Sequence, residues 1–560
     1  MPNIISSDLS SGIVTYFLPA GEDLIVQPDV LIYSTGEFAI YGQGDNIVLL
    51  RDGATILSYS DLTTIVQTAA LQLGFNSTDG KNDLTIQDGV LVQGAYDGVK
   101  IAGNNNDLKN DGSILAEKTA VSIEGNLNYL LNHGDINSDN GIAVKAGTNA
   151  DLQNFGNITS SAFAFSGEAY GVWIDGVNAS VMNAGDITGQ TAMFFDGIAD
   201  FDGDARLDNA GQIVGYYYGV ATADEGLTIN NSGLISATDD NFATIAHNAS
   251  DPDEEQFLNN TGTILSAGTA YSGSVGEDRI TNTGTISGDI NLRDGDDKYL
   301  GRTGTVDGIV DGGAGNDDLV GGAEANELRG GDGDDKIFGL GNIDILEGGA
   351  GNDEIYGGGG TDFGGGGDGN DLIRGGDGDD WFLGGSGDDL MLGGAGNDEM
   401  DGEGGNDTLR MGSGDDIAEG RGGQDIIHGG SGDDRLGGGT SSDTLFGGAG
   451  ADTINGGAGA DRINGGTGDD LLTGGKQADT FVFHRGAGFD VIIDFVDGED
   501  TIDLHDFGLR ILDYAGIVAP ALSDAGGGAT LLDLGQLGGT GTIRIEGLAF
   551  ADADAADFLL

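Results

Sequence analysis

The sequence predicts an all-β protein in which a right-handed parallel β-helix is fused to a parallel β-roll that ends in a C-terminal cap. Two internal repeats predict this class: a nine-residue phrase in the second half and a looser repeat with a basal period of 22 residues in the first. Repeats of this kind build solenoids coil by coil. We expect four segments: irregular coils with a short helix over residues 1–80, the β-helix over 81–293, the β-roll over 294–482 and the cap over 483–560.

The nine-residue phrase is G-G-x-G-x-D-x-U-x, where U is a large apolar residue, and it runs nineteen times from Gly312 to Val482 without insertion or deletion. Its first six positions are too rich in glycine for the interior of a helix or strand and suit a tight loop. Positions seven to nine are predicted as a short strand whose eighth residue points inward. Seventeen of the nineteen eighth positions are bulky and apolar, the exceptions being Gly364 and Ala418, and a disordered acidic tract would not keep this register.

The sixth-position carboxylates are the candidate metal ligands. Two phrases make one 18-residue coil, so these carboxylates should stack in two columns at roughly 4.8 Å per step. Such columns repel unless a hard cation lies between them, and Ca²⁺ prefers carboxylate and carbonyl oxygens. The phrase is also a known signature of calcium-binding β-helices. Asn326 is the exception among the sixth positions, and the predicted Ca²⁺ ligands are Asp317, Asp335, Asp344, Asp353, Asp362, Asp371, Asp380, Asp389, Asp398, Asp407, Asp416, Asp425, Asp434, Asp443, Asp452, Asp461, Asp470 and Asp479.

Two phrases near the start of the array depart from the pattern. Gly339-Leu340-Gly341-Asn342 and Gly321-Gly322-Ala323-Glu324 each lack loop glycines. Residues other than glycine rarely adopt the conformations that such loops need. We expect the calcium sites there to be loose or empty.

The first half carries the repeat [L/I/V]-x-N-x-G-x-I, which predicts the β-helix. Gaps longer than 22 residues between its copies indicate loops inserted into a constant coil. An asparagine followed two residues later by glycine is typical of a turn, and stacked amides satisfy one another's hydrogen bonds. We therefore interpret the asparagines as a structural ladder rather than a sugar-binding site; they are Asn110, Asn132, Asn154, Asn183, Asn209, Asn231, Asn260 and Asn282.

One helix is predicted ahead of this repeat, from Asp61 to Leu73 with Ser60 as its N-cap. Its apolar face is formed by Leu62, Ile65, Val66, Ala69, Ala70 and Leu73. A membrane-surface helix would carry a cationic polar face, which this segment lacks. We expect it to cap or flank the solenoid.

Composition excludes several classes of function. The 560 residues include 93 Asp and Glu against 22 Lys and Arg, a formal net charge of −71, which argues against a nucleic-acid partner. No apolar run approaches the roughly 18 residues of a membrane span, and the first residues do not resemble a cleavable signal. Cysteine is absent, so disulfide and thiolate chemistry are excluded.

No catalytic residue and no cofactor other than Ca²⁺ is predicted. The five histidines form no H-E-x-x-H pair, and G-x-S-x-G is missing, which excludes the corresponding zinc protease and hydrolase sites. A uronate lyase or epimerase is the alternative, with an acidic cluster beside Arg206 as its best candidate site, although an inserted loop explains the same residues. Trp173 and the run Tyr216–Tyr218 could stack on sugars, but cross-strand packing is the favoured interpretation. The cluster comprises Asp196, Asp200, Asp202 and Asp204.

The nonapeptide array, the apolar segment Phe489–Leu504 and the terminal Asp557-Phe558-Leu559-Leu560 together resemble the RTX (repeats-in-toxin) proteins, and the C-terminal block is similar to that of serralysin-type members. The resemblance covers roughly residues 294–560. It implies an uncleaved C-terminal signal, export by type I secretion machinery and folding outside the cell when calcium is met. We therefore expect a secreted calcium-binding surface, matrix or adhesion component, with a polysaccharide or cell-surface molecule as a further possible ligand.

Overall fold

The protein divides into two compact units, Met1–Asp311 and Gly312–Leu560, in a computed structural model. The division falls later than the predicted boundary between residues 293 and 294. The structure describes residues 3–560 except 6–8, 12–13, 20–21, 28–29, 35–37, 43–46, 52–53, 59–68, 74–80, 127, 162–168, 176–177, 197–204, 224–225, 248–254 and 511–512.

The first unit is a parallel β-solenoid with three strands in each coil, which form three stacks of strands. The first stack contains Asn3–Ile5, Leu24–Val26, Ile47–Leu50, Asp83–Ile86, Asp107–Asn110, Tyr129–Asn132, Asp151–Asn154, Ser180–Asn183, Ala205–Asn209, Leu227–Asn231, Gln256–Asn260, Asp278–Asn282 and Lys298–Arg302. The second contains Leu9–Ser11, Leu31–Ser34, Thr55–Ser58, Leu91–Gly94, Ser113–Ala116, Asp135–Ser138, Asn157–Ser160, Leu234–Ala237 and Thr305–Val306. The third contains Val14–Leu18, Phe38–Gly42, Ala69–Leu73, Asp97–Ala102, Thr119–Glu124, Ile142–Ala146, Tyr170–Asp175, Ile245–His247 and Ile309–Ala314. Longer strands pair with both the second and the third stack: Asp186–Asp196, Gln212–Thr222, Thr263–Ser272 and Thr285–Asn291.

Alternation of buried and outward residues forms these strands. Leu108, Leu130 and Leu152 lie in register on consecutive coils of the first stack and are almost completely buried. Each apolar side chain therefore packs on the equivalent side chain of the next coil, which buries it far more completely than a single coil could.

The asparagine ladder is present as the sequence predicts. From Asn110 to Asn282 each side-chain Nδ2 donates to the Oδ1 of the next asparagine at 2.8–2.9 Å, and all eight side chains are at most 1 % exposed. A shorter ladder of Asn82, Asn106 and Asn128, at 3.1 and 3.0 Å, was not predicted. The buried amides of the long ladder satisfy one another, which is the structural role that the repeat indicated.

The predicted helix is wrong over its last residues. Ala69–Leu73 is a strand of the third stack, in which Leu71 pairs with Ile40 of one neighbouring coil and Val99 of the other. Pairing on both sides, with Leu71 fully buried, outweighs the local helical spacing of apolar residues. The remainder of the predicted helix lies outside the described residues. The strands described before residue 80 also follow the three stacks, in contrast to the irregular coils expected there.

The second unit is a parallel β-solenoid with two strands per coil. One sheet contains Asp318–Gly322, Lys336–Phe338, Glu354–Gly359, Leu372–Asp377, Leu390–Ala395, Thr408–Ser413, Ile426–Ser431, Thr444–Ala449, Arg462–Thr467, Thr480–Val482, Thr501–Asp503 and Phe558–Leu559. The other contains Glu327–Asp332, Ile345–Ala350, Phe363–Asp368, Trp381–Ser386, Glu399–Gly404, Ile417–Glu419, Arg435–Thr440, Thr453–Ala458, Leu471–Lys476, Phe489–Ile492 and Thr542–Ile545. An all-β architecture with parallel coils is thus confirmed in both units.

Strands of the second unit are longer than predicted. Most run for six residues, from position seven of one phrase to position three of the next, as in Glu354–Gly359. Ile355 pairs with Ile373 of the following coil, and both are fully buried, as expected for eighth-position residues. The glycines at positions one and two continue the strand because neighbouring coils on both sides supply their hydrogen-bond partners.

The cap follows the last repeat and covers its open edge. Phe489–Ile492 pairs in parallel with Thr542–Ile545, which is followed outward by the antiparallel strands Ala529–Asp533 and Leu522–Gly526. Antiparallel strands end the stacking, so no further parallel coil can add there. The described part of the cap also contains short helical turns, at His505–Phe507, Tyr514–Val518, Ala519–Ala521, Leu534–Leu537 and Ala555–Asp557.

The terminal residues pack against the cap. Phe558 is 3 % exposed and pairs with Ile502. Its burial follows from this strand pairing. Leu559, by contrast, is 38 % exposed.

The described residues contain no helix that is both long enough and apolar enough to cross a membrane.

Candidate calcium-binding loops

Glycines at the second and fourth positions of most phrases let consecutive loops stack closely. Gly349 and Gly351 have φ of 120° and 132°, a region that side-chain-bearing residues rarely adopt. A Cβ at these positions would lie 2.1 Å and 2.0 Å from the carbonyl oxygens of Gly331 and Gly333 on the preceding coil. Both positions therefore require glycine for conformation and for space.

The first glycine has a different role. A Cβ on Gly348 would lie 2.3 Å from Oδ2 of Asp353, in its own loop, and 2.6 Å from the carbonyl oxygen of Gly366 on the next coil. The missing side chain thus leaves a small space bounded by a carboxylate oxygen and a carbonyl oxygen. Ca²⁺ binds such oxygens at about 2.3–2.6 Å.

The sixth-position aspartates form two columns. Each backbone N–H donates to Oδ1 of the aspartate 18 residues later at 2.7–3.0 Å. The Asp353 column is Asp317, Asp335, Asp353, Asp371, Asp389, Asp407, Asp425, Asp443, Asp461 and Asp479. The Asp380 column is Asn326, Asp344, Asp362, Asp380, Asp398, Asp416, Asp434, Asp452 and Asp470. The structure therefore brings all the predicted residues together in the predicted columns.

Both columns extend into the cap. Asp470 N–H donates to Asp490 Oδ1 at 3.2 Å, and Asp479 N–H donates to Asp500 Oδ1 at 2.9 Å. The sequence pattern did not reveal Asp490 and Asp500 because they follow at 20 and 21 residues instead of 18. Their signal is an aspartate one coil beyond the last phrase, with the period lengthened by a short insertion.

In most of the column carboxylates, one oxygen takes no part in the hydrogen bonds between coils. Oδ2 is buried and has no hydrogen-bond partner in Asp335 and in each later column member up to Asp470. The carboxyl groups of the columns are at most 2 % exposed. Burial raises the pKa of Asp353 to about 7, and the charges of Asp335 and Asp371 add to the effect, while the N–H of Asp335 opposes it. Ionised columns of this kind are unfavourable unless a cation compensates them.

The residues present fit calcium. The orphaned Oδ2 atoms and the space at the first glycine supply oxygen ligands only, as Ca²⁺ requires. Within the ranges that the structure describes, no three His, Cys, Asp or Glu side chains converge closely enough to hold a metal, so loop carbonyl oxygens would complete the ligand shell. Bound calcium would neutralise neighbouring carboxylates and link consecutive loops.

Comparison with known proteins agrees with this geometry. The family model for the RTX calcium-binding nonapeptide repeat matches overlapping segments from residue 311 to residue 492. Residues 311–492 form an RTX calcium-binding repeat module. This confirms the resemblance of the repeats, whereas the similarity of the C-terminal block to serralysin-type proteins stays a prediction.

Two solved structures are similar to parts of the chain that carries the RTX module. The AlgE6R3 subunit from the Azotobacter vinelandii mannuronan C5-epimerase is 34 % identical over 23 % of this chain and 77 % of that one, with a TM-score of 0.20. The extracellular lipase LipA from Serratia marcescens is 16 % identical over 42 % of this chain and 40 % of the lipase, with a TM-score of 0.14. No curated protein matches the chain.

A second ladder, at the fifth position of the RTX phrase, was not predicted. Asp334 N–H donates to Asn316 Oδ1 at 2.8 Å, and Asn352 N–H donates to Asp334 Oδ1 at 2.7 Å. The acceptors of these bonds belong to the preceding coil, whereas the acceptors of the column bonds belong to the following coil. These bonds explain the frequent Asn and Asp at this exposed position, because each side chain satisfies a loop N–H that would otherwise lack a protein partner.

The two departing phrases keep the loop shape at a conformational cost. Leu340 and Asn342 adopt φ of 82° and 72°, in the left-handed region. In the other phrase Asn326 takes the place of a carboxylate, and its N–H still donates to Asp344 Oδ1 at 2.8 Å. Weak calcium binding at these loops stays a prediction.

Met411 stands where its phrase should have the first glycine, in the loop that ends at Asp416. Met411 is fully buried, and at the equivalent positions of the neighbouring coils, Gly393 and Gly429, a Cβ would lie 2.3 Å from Oδ2 of the sixth-position aspartate. We therefore expect Met411→Gly to bind one calcium ion more than the wild-type protein, measured by isothermal titration calorimetry. Ala449→Gly, at an exposed third position, is the control and should leave the number unchanged. Equal stoichiometry in Met411→Gly and wild type would contradict this role for the first glycine.

Most of the acidic cluster predicted beside Arg206 falls on residues that the structure does not describe. Asp200, Asp202 and Asp204 lie outside the described residues, and Arg206 forms an ion pair with Asp208 at 2.8 Å. Trp173 lies 6.0 Å by ring centroids from Phe194, its register partner on the neighbouring strand, in line with the cross-strand interpretation. In the tyrosine run, the rings of Tyr217 and Tyr218 lie 5.1 Å and 5.2 Å from that of Phe242.

Proposed function

We propose that this protein is secreted and that its RTX module folds on calcium outside the cell, where the first unit acts as a surface, matrix or adhesion component. The observation that carries the proposal is the set of buried, unpartnered Oδ2 atoms in the two columns. Burying so many carboxylates without a counter-ion opposes folding. Metal binding and folding of the module are therefore one coupled reaction.

The calcium affinity of extracellular modules supports folding of the RTX module outside the cell. Such modules bind with dissociation constants of about 10⁻⁴–10⁻³ M, well above the range of cytosolic sensors. Each site at ten times its dissociation constant adds about 1.4 kcal/mol by mass action. Several sites together exceed the usual 5–15 kcal/mol stability of a domain. The module would accordingly stay unfolded inside the cell, which suits export by type I secretion machinery.

An export assay tests the proposal. The full chain, a chain lacking Asp557–Leu560 and the double variant Asp371→Ala, Asp389→Ala are each expressed with a type I exporter. We expect the full chain and the double variant in the medium and the shortened chain inside the cells, because the resemblance implies a signal at the terminus. In the medium the full chain should resist protease with calcium and be digested with chelator. Export of the shortened chain would contradict the terminal signal, and protease resistance in chelator would contradict calcium-dependent folding.

A further inference from the structure

A groove lies on the third stack of the first unit, where side chains from several coils converge. Its volume is 410 Å³. It adjoins a second depression of 550 Å³, and Glu124 and Lys145 line both. We name it the Lys145 groove and define it by Tyr96, Asp97, Lys100, Lys118, Lys145 and Trp173.

Strand register builds the floor of the groove. Lys100 pairs with Ser122, Ser122 with Lys145, and Lys145 with Trp173, so four consecutive coils place these residues in one row. At roughly 4.8 Å per coil the two lysines are about 9.6 Å apart along the solenoid. The row is thus an extended track suited to a linear ligand. Its members are too far apart in the sequence to form a recognisable motif.

Donors and acceptors lie side by side along this track. Lys100 Nζ is 3.0 Å from Glu124 Oε1, and Lys145 Nζ is 3.0 Å from Asp175 Oδ2. The groove brings lysines together in a chain that has only 22 Lys and Arg residues against 93 Asp and Glu residues. Because both of these lysines are paired, the groove and the adjoining depression, which Asp175 lines, offer ammonium and carboxylate groups together and carry little net charge.

Aromatic rings complete the lining. Lys145 Nζ lies 4.7 Å from the ring centroid of Trp173, and Lys118 Nζ lies 5.9 Å from that of Tyr96. Tyr96 and Trp173 are only partly buried and both line the groove, so part of each ring is accessible next to the charged pairs. Asp97 lies beside them, and burial raises the pKa of its carboxyl group to about 6.

We propose that the Lys145 groove binds a linear saccharide chain through its hydroxyl groups. A hydroxyl donates and accepts at once, so neighbouring hydroxyls match a lysine and its paired carboxylate, while sugar C–H faces pack on Tyr96 and Trp173. A polyanion would compete with Glu124 and Asp175 for the lysines and would be repelled by the formal net charge of −71. An uncharged saccharide is therefore the expected ligand. This site goes beyond the calcium-dependent function and does not depend on it.

Tryptophan fluorescence can report on the groove alone. The chain has two tryptophans, Trp173 and Trp381, so full-length Trp381→Phe keeps only the one in the groove. In millimolar calcium this protein is titrated with neutral hexasaccharides, namely glucan, mannan, galactan and xylan, and with a uronate hexasaccharide. We expect a saturable change in Trp173 fluorescence with at least one neutral hexasaccharide. Binding to none of the probes would overturn the proposal, and binding to the uronate alone would overturn recognition through hydroxyl groups.

Lysine variants locate the site. Lys145→Met and Lys100→Met, each made in the Trp381→Phe chain, retain the apolar stem and should weaken binding about tenfold each, while circular dichroism shows that the fold is kept. Lys109→Met is the matched control, because Lys109 is ion-paired with Asp111 at 3.0 Å on the first stack. It should bind as tightly as the parent chain. Unchanged affinity in both groove variants would overturn the assignment of the site.

Discussion

Excess chelator should unfold the RTX module of the purified protein, and millimolar calcium should restore it. Without a cation the buried Oδ2 atoms of the columns from Asp335 to Asp470 have no compensating partner, whereas the first unit is held by apolar stacking and amide ladders that need no metal. We therefore expect chelator to remove part of the β-sheet circular dichroism signal and to increase the hydrodynamic radius. Repetition with magnesium in place of calcium is the control, since Mg²⁺ demands a tighter octahedral site. The same spectrum and radius in chelator as in calcium would contradict the calcium-binding interpretation.

The double variant Asp371→Ala, Asp389→Ala should need more calcium to form β-structure. These residues are consecutive in the Asp353 column, where Asp371 N–H donates to Asp389 Oδ1 at 2.8 Å. Loss of two sites at ten times their dissociation constant removes about 3 kcal/mol of calcium-linked stability. A calcium titration followed by circular dichroism measures the shift of the midpoint to higher concentration.

A matched double variant distinguishes the loss of calcium ligands from the loss of negative charge. Asp332→Ala with Asp377→Ala removes two carboxylates from exposed third positions of the same array. Its midpoint should stay close to that of the wild-type protein, because neither side chain belongs to a column. If both double variants shifted the midpoint equally, net charge rather than the columns would govern the response.

The sequence is most informative where its period is constant. Unbroken nine-residue spacing is enough to predict the coil length, the inward eighth residues and the two columns. The first three positions of the phrase are predicted as loop because glycine disfavours strands, but pairing with coils on both sides makes them strand. Asp490 and Asp500 escape the pattern because short insertions shift them out of the period.

The first half could be predicted less completely, for a related reason. The asparagine ladder has a recognisable pattern and is confirmed, whereas Ala69–Leu73 is wrongly predicted as helix because neighbouring coils, not local spacing, determine its strand. The Lys145 groove has no signal in the sequence. Lys100, Lys145 and Trp173 meet only once the lengths of the intervening loops are known, and those lengths vary along the chain.

The hydrogen bonds of the aspartate columns all point one way. Each coil donates its N–H to a carboxylate that belongs to the coil after it, and Asp490 and Asp500 accept the final bonds of the array. The last coils of the array therefore depend on the cap: without Asp490 and Asp500, the backbone N–H groups of Asp470 and Asp479 would lose the acceptors that every earlier column member finds in the next coil.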